Sequence, residues 1–263
     1  MANYSYIYLA FFLLLNIFNF VDRNLLIAFA PQIKSEFNLT NVQWGLLTGV
    51  YFLFFYSVFG IFMGVLGDKF SRMKIAAAGV FLWSLMTAFT GVAKNFSHLI
   101  FARALIGVGE SALTPNAISM LSDLFKQNQR GTASAIYYLG IPLGVGFGML
   151  IAAFFGPVFG WRAVFITLGL IGMGLGIVTY FLFEPRRGQL DKSFNQDSKS
   201  ASIREIIYMT KSALYNSKCL TFVIIGSIFL HIPLGAGNFE VLWAVNERGF
   251  TASSYNSLFG IYF

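Results

Sequence analysis

The sequence predicts an all-α protein that crosses a lipid bilayer many times, and three observations carry that fold class. The 263 residues are 57% hydrophobic and only 11% charged, with a mean hydropathy of +0.69. Soluble domains carry about 25% charged residues, so this chain has too few to cover a water-facing surface. Apolar runs of the roughly 20 residues that a spanning helix needs recur along the chain. Lys and Arg concentrate in alternate connections between those runs, the pattern of membrane orientation.

The first run, Tyr6–Ala30, has no Lys or Arg before it and is too long for a signal-peptide core, so it is expected to be a retained span. Val42–Leu66, Ile75–Ala93, Leu99–Leu121, Thr132–Gly156, Ala163–Phe183 and Cys219–Val245 follow as further spans. An eighth begins near Tyr255 and is cut at Phe263, so the chain is expected to be part of a longer protein. Phe occurs 31 times and Gly 26 times, suiting rings toward lipid and small residues at helix contacts. One connection is long and polar, Glu184–Lys218, with an amphipathic stretch at Ile203–Leu214. The expected organisation is therefore a six-helix bundle over 1–183, a linker over 184–218 and the start of a second bundle over 219–263.

With the N-terminus in the cytoplasm, 12 basic residues fall inside and 4 outside: Lys34, Lys94, Arg162 and Arg248. That bias predicts a cytoplasmic N-terminus and linker in a plasma membrane, the inner membrane of a bacterium. It also explains the net charge of +7 without nucleic acid. The single cysteine, Cys219, excludes an intrachain disulfide and a thiolate metal cluster. With His98 and His231 the only histidines, no metal site or Ser-His-Asp set is apparent. No Gly-rich phosphate loop occurs either, so neither an enzyme nor a cofactor is expected.

Charge inside a membrane is costly, and such residues face cavities and pair with each other. Asp22 and Arg23 lie in the first span, Arg103 and Glu110 in the fourth. From the span midpoints, Asp22 sits about 6 Å and Arg103 about 10 Å toward the outer side at 1.5 Å per residue. The depths differ by about 4 Å, which predicts an Asp22–Arg103 pair if the two helices are neighbours. Glu110, near the midplane, is on the face of Arg103. A carboxyl at that depth is a candidate proton carrier; a permanent structural pair is the alternative. Asn16, Asn19 and Arg23 form one stripe, suiting a cavity wall or interhelical hydrogen bonds. The seventh run carries His231, Pro233, Gly235, Gly237, Asn238 and Glu240, and its Pro and Gly suggest a broken helix at a binding site.

Gly64-Val-Leu-Gly-Asp68-Lys69-Phe-Ser-Arg72-Met-Lys74 resembles the helix 2–3 signature of the major facilitator superfamily, departing at Ser71, where the pattern has Gly. Arg103 through Glu110 resembles the family's helix 4 motif, and Gly140, Pro142, Gly144, Gly146 and Gly148 its Gly/Pro-rich helix 5. Gly160-Trp161-Arg162 and Glu184-Pro185-Arg186-Arg187-Gly188 extend the match. With Phe20-Val21-Asp22-Arg23, Pro115 and Ser122-Asp123 it is most similar to Spinster-like transporters over about residues 16–190. The anion:cation symporters, with an Asp-Arg pair in helix 1, are a neighbouring resemblance.

The resemblance implies a secondary transporter with alternating access, coupled to protons, acting as a monomer on an amphiphilic lysolipid-like or small organic anion substrate. It implies coupling roles for Asp22 and Glu110, and a cytoplasmic gate of Gly64, Asp68, Arg72, Asp123 and Arg130. Arg23, Arg103, Asn19, His231, Asn238 and Glu240 are the candidate substrate contacts. A lipid-modifying enzyme, a channel, or a fragment that transports nothing are the competing readings. An enzyme would need a catalytic cluster near one interface and a channel a ring of like groups, whereas this chain holds a mixed-sign cluster at mid-depth.

Overall fold

A computed structural model describes residues 2–190, 203–231 and 233–262, with helices throughout and no strand among the described residues. Five helical runs are long and apolar enough to cross a membrane by length and composition: Tyr4–Ala28, Asn41–Lys69, Arg72–Gly91, Phe96–Leu124 and Arg130–Phe181.

The first run is α1 (Ala2–Ala28), which α2 (Ala30–Glu36) prolongs. Thr40 starts α3 (Asn41–Gly45) with a capping box, its hydroxyl accepting from Gln43 N and Gln43 Oε1 accepting from Thr40 N. A π-turn over Leu46–Val50 leads into α4 (Tyr51–Lys69). Ser71 caps α5 (Arg72–Gly91) and Asn95 caps α6 (Phe96–Glu110), each taking a backbone N–H three residues on.

The fourth run breaks after Glu110 and resumes as α7 (Leu113–Leu124). Pro115 explains the break, because it has no N–H for the Ser111 carbonyl and its ring crowds that oxygen. Pro142 acts likewise between α8 (Arg130–Tyr138) and α9 (Gly140–Phe181). Asn16 of α1 donates to the Tyr137 carbonyl at this joint, 2.8 Å away, which makes Asn16 interhelical glue rather than cavity wall.

At 1.5 Å per residue, the 42 residues of α9 would stretch about 63 Å if straight, twice a bilayer core. The run reverses instead at Gly160, whose φ of 75° and ψ of 158° suit glycine alone. Before the turn it runs alongside α1, from Asn16 near Gly140 to Phe29 near Gly156. After it the direction opposes α1, since Trp161 bonds Glu36 while the Phe183 carbonyl accepts from Tyr8. The expected spans Thr132–Gly156 and Ala163–Phe183 are thus the two arms of one helical run.

Past the linker come α10 (Ile203–Asn216) and α11 (Lys218–His231). Residues 191–202 of the expected linker lie outside the described residues. The expected seventh span is divided into α11, a 3₁₀ segment over Pro233–Phe239 and α12 (Glu240–Arg248). Gly249, at φ 71°, ends α12, and α13 (Ala252–Tyr262) follows.

Two apolar cores fill the bundle. Tyr8, Phe12, Leu15, Trp83, Met120 and Leu121 build the near end, where the chain begins. Leu25, Phe29, Ile33, Trp44, Leu47 and Phe165 build the far end, which Val241 and Leu242 of α12 join. Far-end polar clasps tie the helix ends. Arg162 bonds Glu36 at 2.6 Å and the carbonyls of Gly91 and Ala93, while the Trp161 indole donates to Glu36 at 2.8 Å.

Candidate functional site: a buried charge cluster between two cores

Between the cores α1, α5 and α6 bring Asn19, Asp22, Thr87, Arg103 and Glu110 into a buried polar layer, with Arg23 alongside. Where α5 passes α6, a side chain at Gly109 would meet Gly79 O and Trp83 N, both 2.8 Å away, so only glycine permits the approach that carries Glu110 inward. The break after Glu110 leaves it at the last position of α6.

Arg23 Nε lies 2.5 Å from Glu110 Oε2, with the carboxylate side chain fully buried and the arginine 21% exposed. The Arg23 guanidinium is ringed by Phe20, Phe52 and Tyr56, with centroids 4.9, 4.8 and 4.7 Å away. Cation–π attraction steadies a guanidinium that has left water. Arg103 lies over the same Phe52 ring, at 4.8 Å. Asp22 Oδ2 accepts from Thr87 Oγ1 at 3.1 Å. Four buried atoms of this layer have no partner within hydrogen-bond distance, Asp22 Oδ1, Glu110 Oε1, Arg103 Nε and Asn19 Nδ2, although the Trp83 indole and the Asn19 amide sit close enough to bear on the Asp22 and Glu110 carboxyls. Two carboxyls and two guanidiniums share one layer, each carboxyl with a spare oxygen.

The expected Asp22–Arg103 ion pair does not form among the described residues. Arg103 acts on Asp22 through space, but its guanidinium is directed over Phe52, and the contact pair is Arg23–Glu110. Depth along two helix axes was matched, whereas the rotation of each helix decides which side chains meet.

At the near end Arg72 is a buried hub. It reaches Asp123 Oδ2 at 2.5 Å, Ser119 Oγ at 2.9 Å, Glu184 Oε1 at 3.1 Å and Pro185 O at 3.1 Å. Gly188 N and the Gln189 side chain bind Asp123, each at 2.9 Å. Arg187 takes the carbonyls of Gly67 (2.6 Å), Phe70 (2.7 Å) and Asp68, which serves the open C-terminal end of α4. Partial burial opposes it, yet hydrogen bonds from Ser71 and Arg72 hold the Glu184 carboxyl below its ordinary value.

Of the expected gate residues, Arg72 and Asp123 are thus joined. The Asp68 side chain is exposed, Gly64 faces open space, and Arg130 donates to the Phe125 carbonyl at 3.2 Å. Asn238 and Glu240 sit at the far end, away from the central cluster: Asn238 O accepts from Trp44 Nε1 at 2.9 Å and Glu240 from Tyr255 at 2.5 Å. The His231 side chain lies outside the described residues. The partnership of Glu184 and Arg187 with the gate, and that of Thr87 with Asp22, were not foreseen. Both join residues far apart in sequence, and an apolar-run reading takes a lone Thr for helix filler.

The family model for the Major Facilitator Superfamily matches residues 12–263. The chain belongs to the Major Facilitator Superfamily. Within this superfamily it is similar to Spinster proteins. The crystal structure of a bacterial homolog of the human lysosomal transporter Spinster, inward-facing and unoccupied, aligns with a TM-score of 0.84 and 26% identity over 98% of this chain and 59% of that one. The sphingosine-1-phosphate transporter SPNS2 of Danio rerio is 31% identical over 67% of this chain and 36% of its own length. A probable L-galactonate transporter of Escherichia coli (strain K12) is 30% identical over 65% of this chain and 37% of its own length. The chain therefore spans little more than a third of those two superfamily members. The protein is thus an integral, multi-pass superfamily member with transporters among its relatives.

Proposed function

We propose that the protein is a proton-coupled secondary transporter working by alternating access, as a monomer. Residues 1–183 form its six-helix first bundle, 184–218 a cytoplasmic linker and 219–263 the start of a second bundle. The Lys and Arg bias supports a cytoplasmic N-terminus, and the membrane we assign is a bacterial inner membrane.

One observation carries the reading: the buried Arg23–Glu110 pair beside Asp22, in which Oε1 of Glu110 and Oδ1 of Asp22 have no partner. A buried carboxylate with an oxygen that no donor reaches is incompletely compensated for its lost water, so such a group can take up a proton. Arg23 is the most accessible member of the cluster and the one that an anionic head group would engage. When the substrate draws Arg23 away, Glu110 loses its counter-charge and takes up a proton; on substrate release the pair re-forms and the proton leaves. Asp22 serves as the second coupling carboxyl. Arg103 and Asn19 complete the head-group contacts; Asn238 and Glu240, held at the far end by Trp44 and Tyr255, would meet the substrate only as it passes that end, and His231 adds a contact from the second bundle. Gly64, Asp68, Arg72, Asp123 and Arg130 form the cytoplasmic gate.

The likeness to SPNS2 favours a lysolipid-like substrate, with its phosphate on the guanidiniums and its tail among Phe52, Tyr56 and the exposed apolar face of α4. The likeness to the probable L-galactonate transporter favours a second reading, a small organic anion on the same arginines. Thermal stabilisation of the full-length protein by sphingosine 1-phosphate, a lysophospholipid and a sugar acid separates the two. The stabilising compound is expected to enter proteoliposomes faster under a proton gradient. Uptake indifferent to the gradient would sink proton coupling.

A further inference from the structure

We propose that Thr87 is a positioning residue that ties the protonation of Asp22 to the backbone of α5; this rests on the proton-coupled reading above. Thr87 Oγ1 lies 3.1 Å from Asp22 Oδ2 and 3.0 Å from the Trp83 carbonyl, and Thr87 and Asp22 are both buried, at 1% and 2% exposure. A threonine hydroxyl has one proton to donate. With Asp22 ionised, both neighbours are acceptors and compete for that proton. With Asp22 protonated on Oδ2, the acid donates to Thr87 Oγ1 and Thr87 donates to Trp83 O, so both contacts are satisfied at once. Protonation therefore switches on a directed chain from Asp22 through Thr87 to Trp83 O. Ionisation turns the hydroxyl back to the carboxylate and leaves Trp83 O its helical bond alone.

Back-bonding by a Thr hydroxyl bends a helix. Here the bend would fall where α5 meets α6, because Trp83 N and Cβ abut Gly109, the neighbour of Glu110. The Trp83 indole Nε1 is buried and outside hydrogen-bond distance of an acceptor, yet it bears on the Asp22 carboxyl as a more distant donor from the same helix. The charges acting on Asp22 are Glu110 and Arg103 of α6. Its neighbour Arg23 is held by Glu110, and Tyr56 of α4 faces Arg23. The charged groups of α5, Arg72 and Lys74, and the sole charge of α9, Arg162, lie at the bundle ends. Thr87 is thus the neutral group of α5 within hydrogen-bond distance of Asp22, the one through which a change at that carboxyl reaches the helix backbone.

The test compares Thr87→Val, which keeps the shape and removes the hydroxyl, with Thr87→Ser, which keeps the hydroxyl. Thr87→Val is expected to shift the pH of half-maximal uptake by about one unit, the scale of one lost hydrogen bond to a buried carboxyl. Thr87→Ser is expected to restore the wild-type profile. Infrared difference spectra of the purified protein give a readout independent of transport. The protonated-carboxyl band that Asp22→Asn removes should move to higher wavenumber in Thr87→Val and return in Thr87→Ser. A wild-type pH profile, or an unmoved Asp22 band, in Thr87→Val overturns the proposal. If Asp22→Asn itself leaves the pH profile unchanged, it is the proton-coupled reading that falls.

Discussion

Arg72 shows how much of the near end hangs on one side chain. It sits 4% exposed between Asp123 and Glu184 and holds both, with the Ser119 hydroxyl and the Pro185 carbonyl as third and fourth points. Breaking a buried pair by removing one partner costs about 3–5 kcal/mol, because the other charge is left uncompensated. Arg72→Ala should therefore lower the melting temperature of the detergent-solubilised protein well beyond Lys126→Ala, a change at an exposed cation of the same end, and an equal shift in the two variants would contradict the hub. Two carboxyls outside the spans set a pH dependence. Hydrogen bonds from Arg162 hold Glu36 below the ordinary value of 4.5, with the Trp161 indole adding to them, and Glu184 is held low in the same direction. A lowered value stabilises the fold above 4.5, and the gain is lost as the pH falls through it. Melting temperature should drop as the pH is taken from 6 toward about 4, and the Glu36→Gln, Glu184→Gln double variant should flatten that slope. The sequence showed which charged residues were too deep to be idle, since an apolar run makes Asp22, Arg23, Arg103 and Glu110 conspicuous. It did not show their partners, because pairing depends on helix rotation and on rings such as Phe52 that compete for a guanidinium.

At the scale of elements, the apolar runs marked the helices and Pro and Gly marked their faults. Pro115 ends α6 after Glu110, Pro142 divides α8 from α9, and Pro233 with its glycines separates α11 from α12. The reversal between the expected spans Thr132–Gly156 and Ala163–Phe183 was legible; what stayed hidden was how tightly it is made. Gly160-Trp161-Arg162 looks like an ordinary connection, and only the backbone angles show a turn made at one residue. A side chain at Gly160 would meet nothing within 4 Å, so any cost of Gly160→Ala is backbone strain alone. That cost should be about 1–3 kcal/mol. It can be checked by melting temperature against Gly174→Ala, a glycine in the same helix with equally open surroundings and ordinary φ.

Over the whole molecule, α12 closes against the first spans at the far end, and α13 runs from there along α9 as far as Gly146, which Gly260 meets. Asn256 donates to the Ala28 carbonyl at 3.0 Å, Ser253 to Ala153 at 2.8 Å and Trp44 to Asn238 at 2.9 Å. α11 meanwhile leaves Phe222, Val223 and Phe229 exposed to bilayer or to further helices. Alternating access requires the far-end seam to open. A Ser253→Cys, Ala153→Cys pair should cross-link under oxidation and stop uptake, with recovery on reduction; uptake by the cross-linked protein would mean that the seam is not a gate. Sequence alone could order the helices but not face α12 and α13 onto the first spans, since the seam is built from backbone carbonyls and single polar side chains scattered over more than 200 residues.

The central claim is that the buried carboxyls carry the coupling proton, and substrate-triggered proton movement tests it most directly. A pH-sensitive dye sealed in proteoliposomes should report proton entry when substrate is added to the wild-type protein. Glu110→Gln should lose that signal while substrate still binds. A Glu110→Gln protein that moves protons with substrate at the wild-type rate would contradict the account.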